Sequence, residues 1–320
     1  MDLPISLKTE IETRCERFGQ NALVAAAREI SRRYREESGK GKRLLTKDVE
    51  ALSYAVVRMP ATYGAVSTAL KHTLACFREP LETALDVGAG TGAGGWALHR
   101  QLEQPFRLTC LEREKAMLSL GSALMEAEPE LSGTLWIRQD LAASPVTHRA
   151  DLVMASYALN ELDEKSRAAT LKNLWDCTDK LLLLIEPGTP EGFRQLRQAR
   201  QLLTSLGGTV AAPCSHSEKC PLPEEDWCHF TCRISRSRLH KLMKDGDAPY
   251  EDEKFCYLAV SKVPCSPAPA RILRHPIKEA GYISLKLCTT EGIEARKITK
   301  KQGDTYKTAR KADAGDAFSL

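Results

Sequence analysis

A glycine-rich turn places the strongest limit on what this chain can fold into. Residues 86–92 read Asp-Val-Gly-Ala-Gly-Thr-Gly, directly after the apolar run 83–87 and before a helix expected over about 93–102. Glycines let the backbone turn sharply and approach a ligand closely. The turn therefore predicts a strand–turn–helix unit that opens an α/β domain with a nucleotide-type cofactor site.

From Leu81 onward, apolar strands alternate with helices. After the first strand, the sequence predicts strands at 106–111, 133–137, 150–155 and 180–185. Such alternation is typical of a parallel, doubly wound sheet. The leucine-rich strand at 180–185 is predicted to be buried on both of its faces. The predicted fold class is α/β, a Rossmann-like sheet of the class I methyltransferase type.

Composition divides the chain into three predicted regions. Residues 1–80 are expected to be helical, with a basic linker at 38–43. Residues 81–263 form the α/β domain, with a cysteine-rich insertion at about 207–230, and residues 264–320 form a small basic β extension. The two flanks carry formal charges of +4 and +5, and the middle carries −5. Basic flanks suit a polyanion such as RNA, although solubility explains them equally well.

The acid before the glycines favours S-adenosylmethionine over a dinucleotide. A dinucleotide needs a helix N-terminus for its pyrophosphate, whereas S-adenosylmethionine carries an ammonium group that an acid can hold. The second predicted strand ends at an acid placed for ribose hydroxyls, and a further acid after the third strand is placed near the adenine. The predicted cofactor residues are Asp86, Gly88, Gly90, Gly92, Glu112 and Asp140.

The methyl acceptor side is less defined. Methyltransferases that act on a base amine often carry an Asn/Asp-Pro-Pro-aromatic tetrad after the fourth strand, but here residues 155–162 read Ala-Ser-Tyr-Ala-Leu-Asn-Glu-Leu. Neither the end of the fourth strand nor that of the fifth offers a cysteine nucleophile. Tyr157, Asn160, Glu161 and Glu186 are candidates to line the pocket. No catalytic base is assigned, so whether the chain is an enzyme stays open.

Three cysteines within fifteen residues, Cys214, Cys220 and Cys228, predict a metal or iron–sulfur site. Their spacing differs from the Cys-x2-Cys pairs of common zinc sites, and Pro221 after Cys220 resembles the Cys-Pro pairs beside iron–sulfur ligands. A zinc site remains the alternative. The candidates for a fourth ligand are Cys232, Cys256, Cys265, Cys288 and, for zinc, His216 or His229.

Other features limit where the protein works. No apolar run approaches the roughly 18–20 residues that span a bilayer, so no membrane association is expected. The first ten residues have no signal-peptide character. Eleven cysteines, an odd number, without a secretory signal argue against a disulfide framework. The sequence thus predicts an intracellular protein, expected to be a monomer.

Taken together, these segments resemble the mitochondrial small-ribosomal-subunit methyltransferase-like family and its bacterial relatives. The resemblance covers most of the chain, and the cysteine pattern is its most specific part. Besides the glycine turn and the three cysteines, the matching segments are 185–193, 250–255, 283–288 and 306–311. Where the family tail continues to Trp-Gly-Asp, this chain reads Asp313-Ala-Gly-Asp316, which puts any tryptophan contact in doubt.

The resemblance implies a [4Fe–4S] cluster on Cys214, Cys220, Cys228 and Cys288, with Cys256 the less favoured fourth ligand. It also implies association with the small ribosomal subunit and its rRNA during assembly, and an S-adenosylmethionine fold whose activity is open. The alternative is an iron–sulfur assembly factor that binds RNA without methyl transfer. Because no mitochondrial presequence is visible, the expected location is the cytoplasm of a prokaryote.

Overall fold

The computed structural model describes residues 1–37 and 45–319, and the predicted basic linker at 38–43 lies outside the described residues. The chain forms two compact units built from interleaved segments. The first contains residues 1–70, 81–179 and 232–253, and the second contains residues 71–80, 180–231 and 254–320. The regional boundaries after residues 80 and 263 remain a prediction.

The N-terminal region is helical, as predicted. Its helices are α1 (Ile5–Cys15), α2 (Gln20–Glu37), α3 (Asp48–Val57) and α4 (Met59–Leu74). Pro60 ends no element by itself; it lies in the first turn of α4, where its missing N–H is not needed. Glu50, in the first turn of α3, accepts the N–H groups of Thr46 and Lys47 with its carboxylate. These two hydrogen bonds fix the start of α3.

The first unit contains four parallel strands with their helices. These are β1 (Thr83–Val87), α5 (Ala93–Gln101), β2 (Arg107–Glu112), α6 (Lys115–Met125), β3 (Leu135–Arg138), β4 (Ala150–Ser156) and α7 (Glu164–Cys177). The strand order is β3-β2-β1-β4, with β1 pairing in parallel with both β2 and β4. This order brings the carboxyl ends of β1, β2 and β4 to one edge, where ligands of doubly wound sheets bind.

The second unit contains β5 (Thr178–Pro187), α8 (Pro190–Ser205) and β6 (Thr209–Ala212). The strands β7 (Phe230–Ser235) and β8 (Tyr250–Ser261) each have residues in both units, and α9 (Arg238–Lys244), which lies between them in the chain, belongs to the first. Leu181 to Ile185 of β5 are fully buried, which confirms the prediction for this strand. The parallel sheet was not predicted to reverse, yet β8 runs antiparallel to both β5 and β6. Parallel strands followed by this late reversal are the Rossmann-like methyltransferase fold.

The C-terminal extension is a second, antiparallel sheet of five strands. Its elements are β9 (Ala270–Ile272), β10 (Ile277–Glu279), β11 (Tyr282–Thr289), β12 (Gly292–Thr299), α10 (Asp304–Lys311) and β13 (Ala317–Phe318). Its own core includes Ile283, Leu285, Ile298, Ala309 and Phe318. The sequence predicts short strands at 282–287 and 293–297 in this extension, which β11 and β12 contain, but it does not predict the strands β9, β10 and β13 or helix α10. Among the described residues, no helix is both long and apolar enough to cross a membrane.

Candidate cofactor turn and cysteine pocket

The predicted glycine turn lies at the carboxyl end of β1 in the first unit. Gly88, Gly90 and Gly92 have φ angles of 71°, 58° and 86°, in the left-handed region that favours glycine. The N–H groups of Gly88 and Ala89 both donate to the carbonyl of Leu111, at 2.9 and 3.0 Å. The turn is therefore held against the end of β2, which is where the predicted ribose acid follows.

Glu112 is brought directly to the turn. Its carboxylate accepts the N–H of Gly90 at 2.8 Å and the N–H of Glu114 at 2.7 Å. Burial raises the pKa of Glu112 above its usual value, against the lowering effect of these hydrogen bonds. Each carboxylate oxygen can accept more than one hydrogen bond. Glu112 is thus placed to hold the turn and to receive a hydroxyl donor at the same time.

Asp86 lies beneath the turn, with an exposed fraction of 0%. Its carboxylate lies against Gly94 in the first turn of α5, where any side chain would collide with it. Burial, with the neighbouring charge of Glu112, raises the pKa of Asp86 to about 7. The carboxylate therefore faces the helix that follows the turn, and this position explains why residue 94 is a glycine.

Asp140 is separate from these two acids. Its carboxylate accepts the N–H of Ala142 at 3.0 Å, and its carbonyl accepts those of Ala143 and Ser144. Within the described part of the chain, no hydrogen bond joins the Asp140 side chain to the glycine turn. The structure therefore brings Glu112 and Asp86 to the turn and leaves Asp140 in a local turn after β3.

The loop after β4 packs on the glycine turn. A Cβ placed on Gly88 would approach the Cβ of Ala158 to 2.7 Å. Next to it, Tyr157 has a φ of 56°, which is rare for a residue with a side chain and is often found at functional sites. The Tyr157 hydroxyl donates to Glu253 at 3.1 Å, and Arg58 lies 3.5 Å from the same carboxylate.

Tyr157 was a sequence candidate for the acceptor side, whereas Arg58 and Glu253 were not. They come from distant segments, Arg58 between α3 and α4 and Glu253 in β8, and neither residue belongs to a motif that could have identified it. Glu161, another candidate, lies 3.5 Å from Arg113, and burial raises its pKa to about 7 despite that cation. These groups can orient a polar ligand, but their geometry does not identify a general base.

In the second unit, the predicted metal-binding cysteines converge on one pocket. Its lining includes all four of them together with Cys256. Cys214, Cys220 and Cys228 lie in the loop between β6 and β7, and Cys288 lies in β11. The Ser215 hydroxyl donates to the carbonyl of Cys288 at 3.1 Å, which ties that loop to β11. The remaining lining residues are mostly apolar, and Leu222, Leu273 and Cys288 form a small buried cluster beside Cys220 and Cys228.

The thiols influence one another. Burial raises the pKa of Cys228, and further contributions come from Cys214, Cys288, Cys220 and Cys256, in decreasing order. Burial also raises the pKa of Cys288 to about 12, with Cys214 and Cys220 as the next contributors. Cys228 and Cys288 therefore both lie near other cysteines of the pocket. Such thiols lose their protons when they bind a metal centre.

Cys256 has a different environment. Its thiol donates to the carbonyls of Glu186 and Pro187, at 3.5 and 3.2 Å. Burial and Glu186 raise its pKa, and no other cysteine is among the causes. Cys256 thus lies at the wall of the pocket with its thiol already bonded to the backbone, whereas the strand that carries Cys288 is tied to the cysteine loop through Ser215.

The sulfur spacing bears on which centre the pocket fits. A single tetrahedral zinc ion with Zn–S bonds of about 2.3 Å requires sulfurs about 3.8 Å apart. Within residues 1–37 and 45–319, no three cysteine sulfurs lie within 4.8 Å of one another. In an iron–sulfur cluster each cysteine binds a different iron atom, so the sulfurs lie farther apart. The histidines proposed for a zinc site are not among the lining residues.

Comparison with known proteins gives the relatives of this chain. The family model described as mitochondrial small ribosomal subunit Rsm22 matches residues 48–319. The human ribosome assembly protein METTL17, mitochondrial, is 30% identical over 296 residues, covering 84% of this chain and 62% of that protein. The Rsm22-cox11 tandem protein 2, mitochondrial, of Schizosaccharomyces pombe is 25% identical over 327 residues, covering 85% of this chain and 43% of that protein.

The chain therefore spans less than two thirds of the length of these curated relatives. Among solved structures, a magnesium protoporphyrin IX methyltransferase from Synechocystis with bound S-adenosylmethionine matches with a TM-score of 0.42 and 14% identity. That match covers 72% of this chain and 90% of the solved one.

The comparison corrects one prediction. The expected cytoplasmic location is wrong, because the curated relatives are mitochondrial proteins by name and so point to the mitochondrion. The prediction relied on a missing presequence. That was weak ground, since the chain covers only part of each relative's length.

Proposed function

The chain belongs to the mitochondrial small ribosomal subunit Rsm22 family, and on that premise we propose that it is a methyltransferase-like protein that assembles the small ribosomal subunit. In this proposal it binds rRNA, S-adenosylmethionine in its first unit and a [4Fe–4S] cluster in its second. The observation that carries the proposal is the convergence of Cys214, Cys220, Cys228 and Cys288 on one pocket.

The donor set supports a cluster. Four thiols in mostly apolar surroundings, without a histidine among the lining residues, fit a centre that binds each cysteine through a separate metal atom. Cys288 is the proposed fourth ligand, since Ser215 ties its strand to the loop that carries the other three cysteines, while the thiol of Cys256 is bonded to the backbone. The cluster would join the loop 213–229 to strand β11 and so stabilise the C-terminal extension.

The glycine turn supports S-adenosylmethionine binding. Gly88, Gly90 and Gly92 expose backbone at the carboxyl end of β1, and Glu112 lies at the turn with capacity for ribose hydroxyls. Tyr157, in the loop after β4 that packs on this turn, is the proposed residue on the acceptor side. Asp140 remains the proposed contact for the adenine.

The charge of the C-terminal extension supports RNA binding. Residues 264–320 hold 11 Lys and Arg residues against 6 acids. Several of these cations are exposed, including Lys300, Lys301, Lys307, Arg310 and Lys311. Basic surfaces of this kind bind phosphate backbones with a strong dependence on salt.

A second candidate is a non-catalytic assembly factor of the same family, and one observation favours it. The carboxylate of Asp86 faces Gly94 inside the unit, with no exposure, and is therefore not available for the cofactor's ammonium group in this conformation. In this candidate the fold and the cluster shape an RNA-binding surface and no methyl group is transferred.

The two candidates are separated by measuring cofactor binding and transfer. Titration of the full chain with S-adenosylmethionine in a calorimeter is expected to give saturable binding that Glu112→Gln weakens at least tenfold. Small-subunit particles purified without this protein are then offered as acceptor with methyl-labelled cofactor. Label in rRNA, lost with Glu112→Gln, supports the enzyme; particle binding without cofactor binding supports the assembly factor and contradicts the enzyme.

A further inference from the structure

A buried arginine lies beside the proposed fourth cluster ligand. Arg271 is in β9, directly opposite Cys288 of β11 in the antiparallel ladder. Residues that face each other in such a ladder project from the same face of the sheet, with Cβ atoms about 4.5–5.5 Å apart. Arg271 is only 1% exposed and lines the same pocket as the cysteines.

The guanidinium of Arg271 bonds only to neutral groups. Its Nε donates to the carbonyl of Pro213 at 2.9 Å, and Nη1 donates to that of Gly315 at 3.0 Å. Nη2 lies 3.7 Å from the sulfur of Cys76. Pro213 directly precedes Cys214, so this one side chain is attached next to the first proposed ligand and faces the fourth.

A second buried arginine reaches the pocket from helix α8. Arg200 is 6% exposed and lines the pocket. Its Nη2 donates to the carbonyl of His216 at 3.0 Å, and its Nε is buried without a hydrogen-bond partner. His216 lies two residues beyond Cys214, so both arginines are anchored to the backbone on either side of that cysteine.

Two buried cations need a nearby negative charge. In the part of the chain that the structure describes, neither guanidinium forms an ion pair with a carboxylate. A buried charge without a partner costs several kcal/mol in effective desolvation. A [4Fe–4S]²⁺ core on four thiolates carries a net charge of about −2 and would supply the missing anion.

We propose that Arg271 and Arg200 are the fixed counter-charges of the cysteine-bound cluster, which stabilise it in the pocket and set its reduction potential. The inference rests on the proposed cluster and adds to it a role for two residues that are not ligands. Because reduction adds one electron to an already anionic group, a neighbouring positive charge favours the reduced form. Removing either charge therefore shifts the midpoint potential to more negative values.

The experiment compares charge-removing and charge-retaining variants of the full chain, purified anaerobically. Arg271→Met and Arg200→Met remove the charge and keep much of the apolar volume; Arg271→Lys and Arg200→Lys keep the charge. Arg194→Met is the matched control, since Arg194 lies on the same helix, is exposed and pairs with Glu191 at 2.6 Å. Iron and sulfide content, the midpoint potential and the spectrum of the reduced cluster are measured for each.

We expect both Met variants to have more negative potentials than the wild type, or to lose the cluster, while both Lys variants and Arg194→Met stay close to it. Equal potentials in wild type and Met variants would overturn the inference, as would cluster loss from the Lys and Met variants alike. A wild type without iron and sulfide contradicts the proposed cluster itself, which distinguishes that failure from failure of the counter-charge role.

Discussion

The glycine turn and the cysteine pocket are assembled in opposite ways. The turn is made by seven consecutive residues, and its function depends on backbone conformation, as the positive φ angles of its three glycines show. The pocket is made by side chains from a loop, from β11, from β9 and from α8. A site of the first kind is visible in a short sequence window, whereas a site of the second kind exists only when several segments fold together.

The largest expected effect tests which cysteines bind the proposed cluster. Cys288→Ser is expected to abolish the brown colour and the absorbance at about 400 nm that thiolate-to-iron charge transfer gives. It should also lower the thermal stability of the chain, because metal binding contributes folding free energy. Absorbance spectra, iron analysis and melting curves of anaerobically purified protein provide the measurement.

Cys256→Ser is the matched control for that prediction. Cys256 lines the same pocket, but its thiol is bonded to the carbonyls of Glu186 and Pro187. We expect this variant to keep full iron content, since a serine hydroxyl can make the same backbone hydrogen bonds. If Cys256→Ser loses the cluster and Cys288→Ser keeps it, the assignment of the fourth ligand is reversed.

A smaller effect is expected in the turn. Gly88→Ala places a Cβ at a residue with a φ of 71° and within 2.7 Å of Ala158. The left-handed conformation costs about 1–2 kcal/mol for a residue with a side chain, and the contact displaces the loop after β4. We expect S-adenosylmethionine affinity to fall by more than tenfold, measured by calorimetry, with a reduced melting temperature.

Gly207→Ala separates backbone strain from that contact. Gly207 has a φ of 86°, but nothing lies within 4 Å of its added Cβ. This variant should lose stability through strain alone and retain cofactor binding. Equal losses of affinity in the two variants would show that the packing of Ala158 on Gly88 does not shape the cofactor site.

The same comparison explains what could be predicted from sequence. The strands β1 to β5, the turn and Glu112 follow local signals, namely apolar runs, glycines and an acid at a strand end. The antiparallel direction of β8 and the short strands β9 and β13 have no such signal, because three apolar residues do not distinguish a strand from a loop. The choice of Cys288 as fourth ligand depends on the family resemblance, since spacing alone leaves Cys232, Cys256, Cys265 and Cys288 open, with His216 or His229 for zinc. Arg271 and Arg200 could not be identified, because burial of an arginine is a property of the fold.

The last expected effect, which has only an upper bound, concerns the pH dependence of Asp86. Its pKa is about 7 in the folded chain, mainly through burial and then through Glu112, against 3.8 as the usual value. The folded state therefore binds this proton more tightly than the unfolded state does. Stability contributed by the protonated acid is lost as pH rises from about 4 to about 7, and it changes little above that range.

Asp86→Asn removes this titration while keeping the size of the side chain. We expect its melting temperature, relative to wild type, to increase between pH 4 and pH 7 and to stay level above pH 7. The rise in the pKa of Asp86 from 3.8 to about 7 sets an upper bound of about 4 kcal/mol on the change in the free energy of unfolding. A pH-independent difference for Asp86→Asn would mean that the carboxylate is solvated in the folded chain, and it would then be free to hold the cofactor's ammonium group.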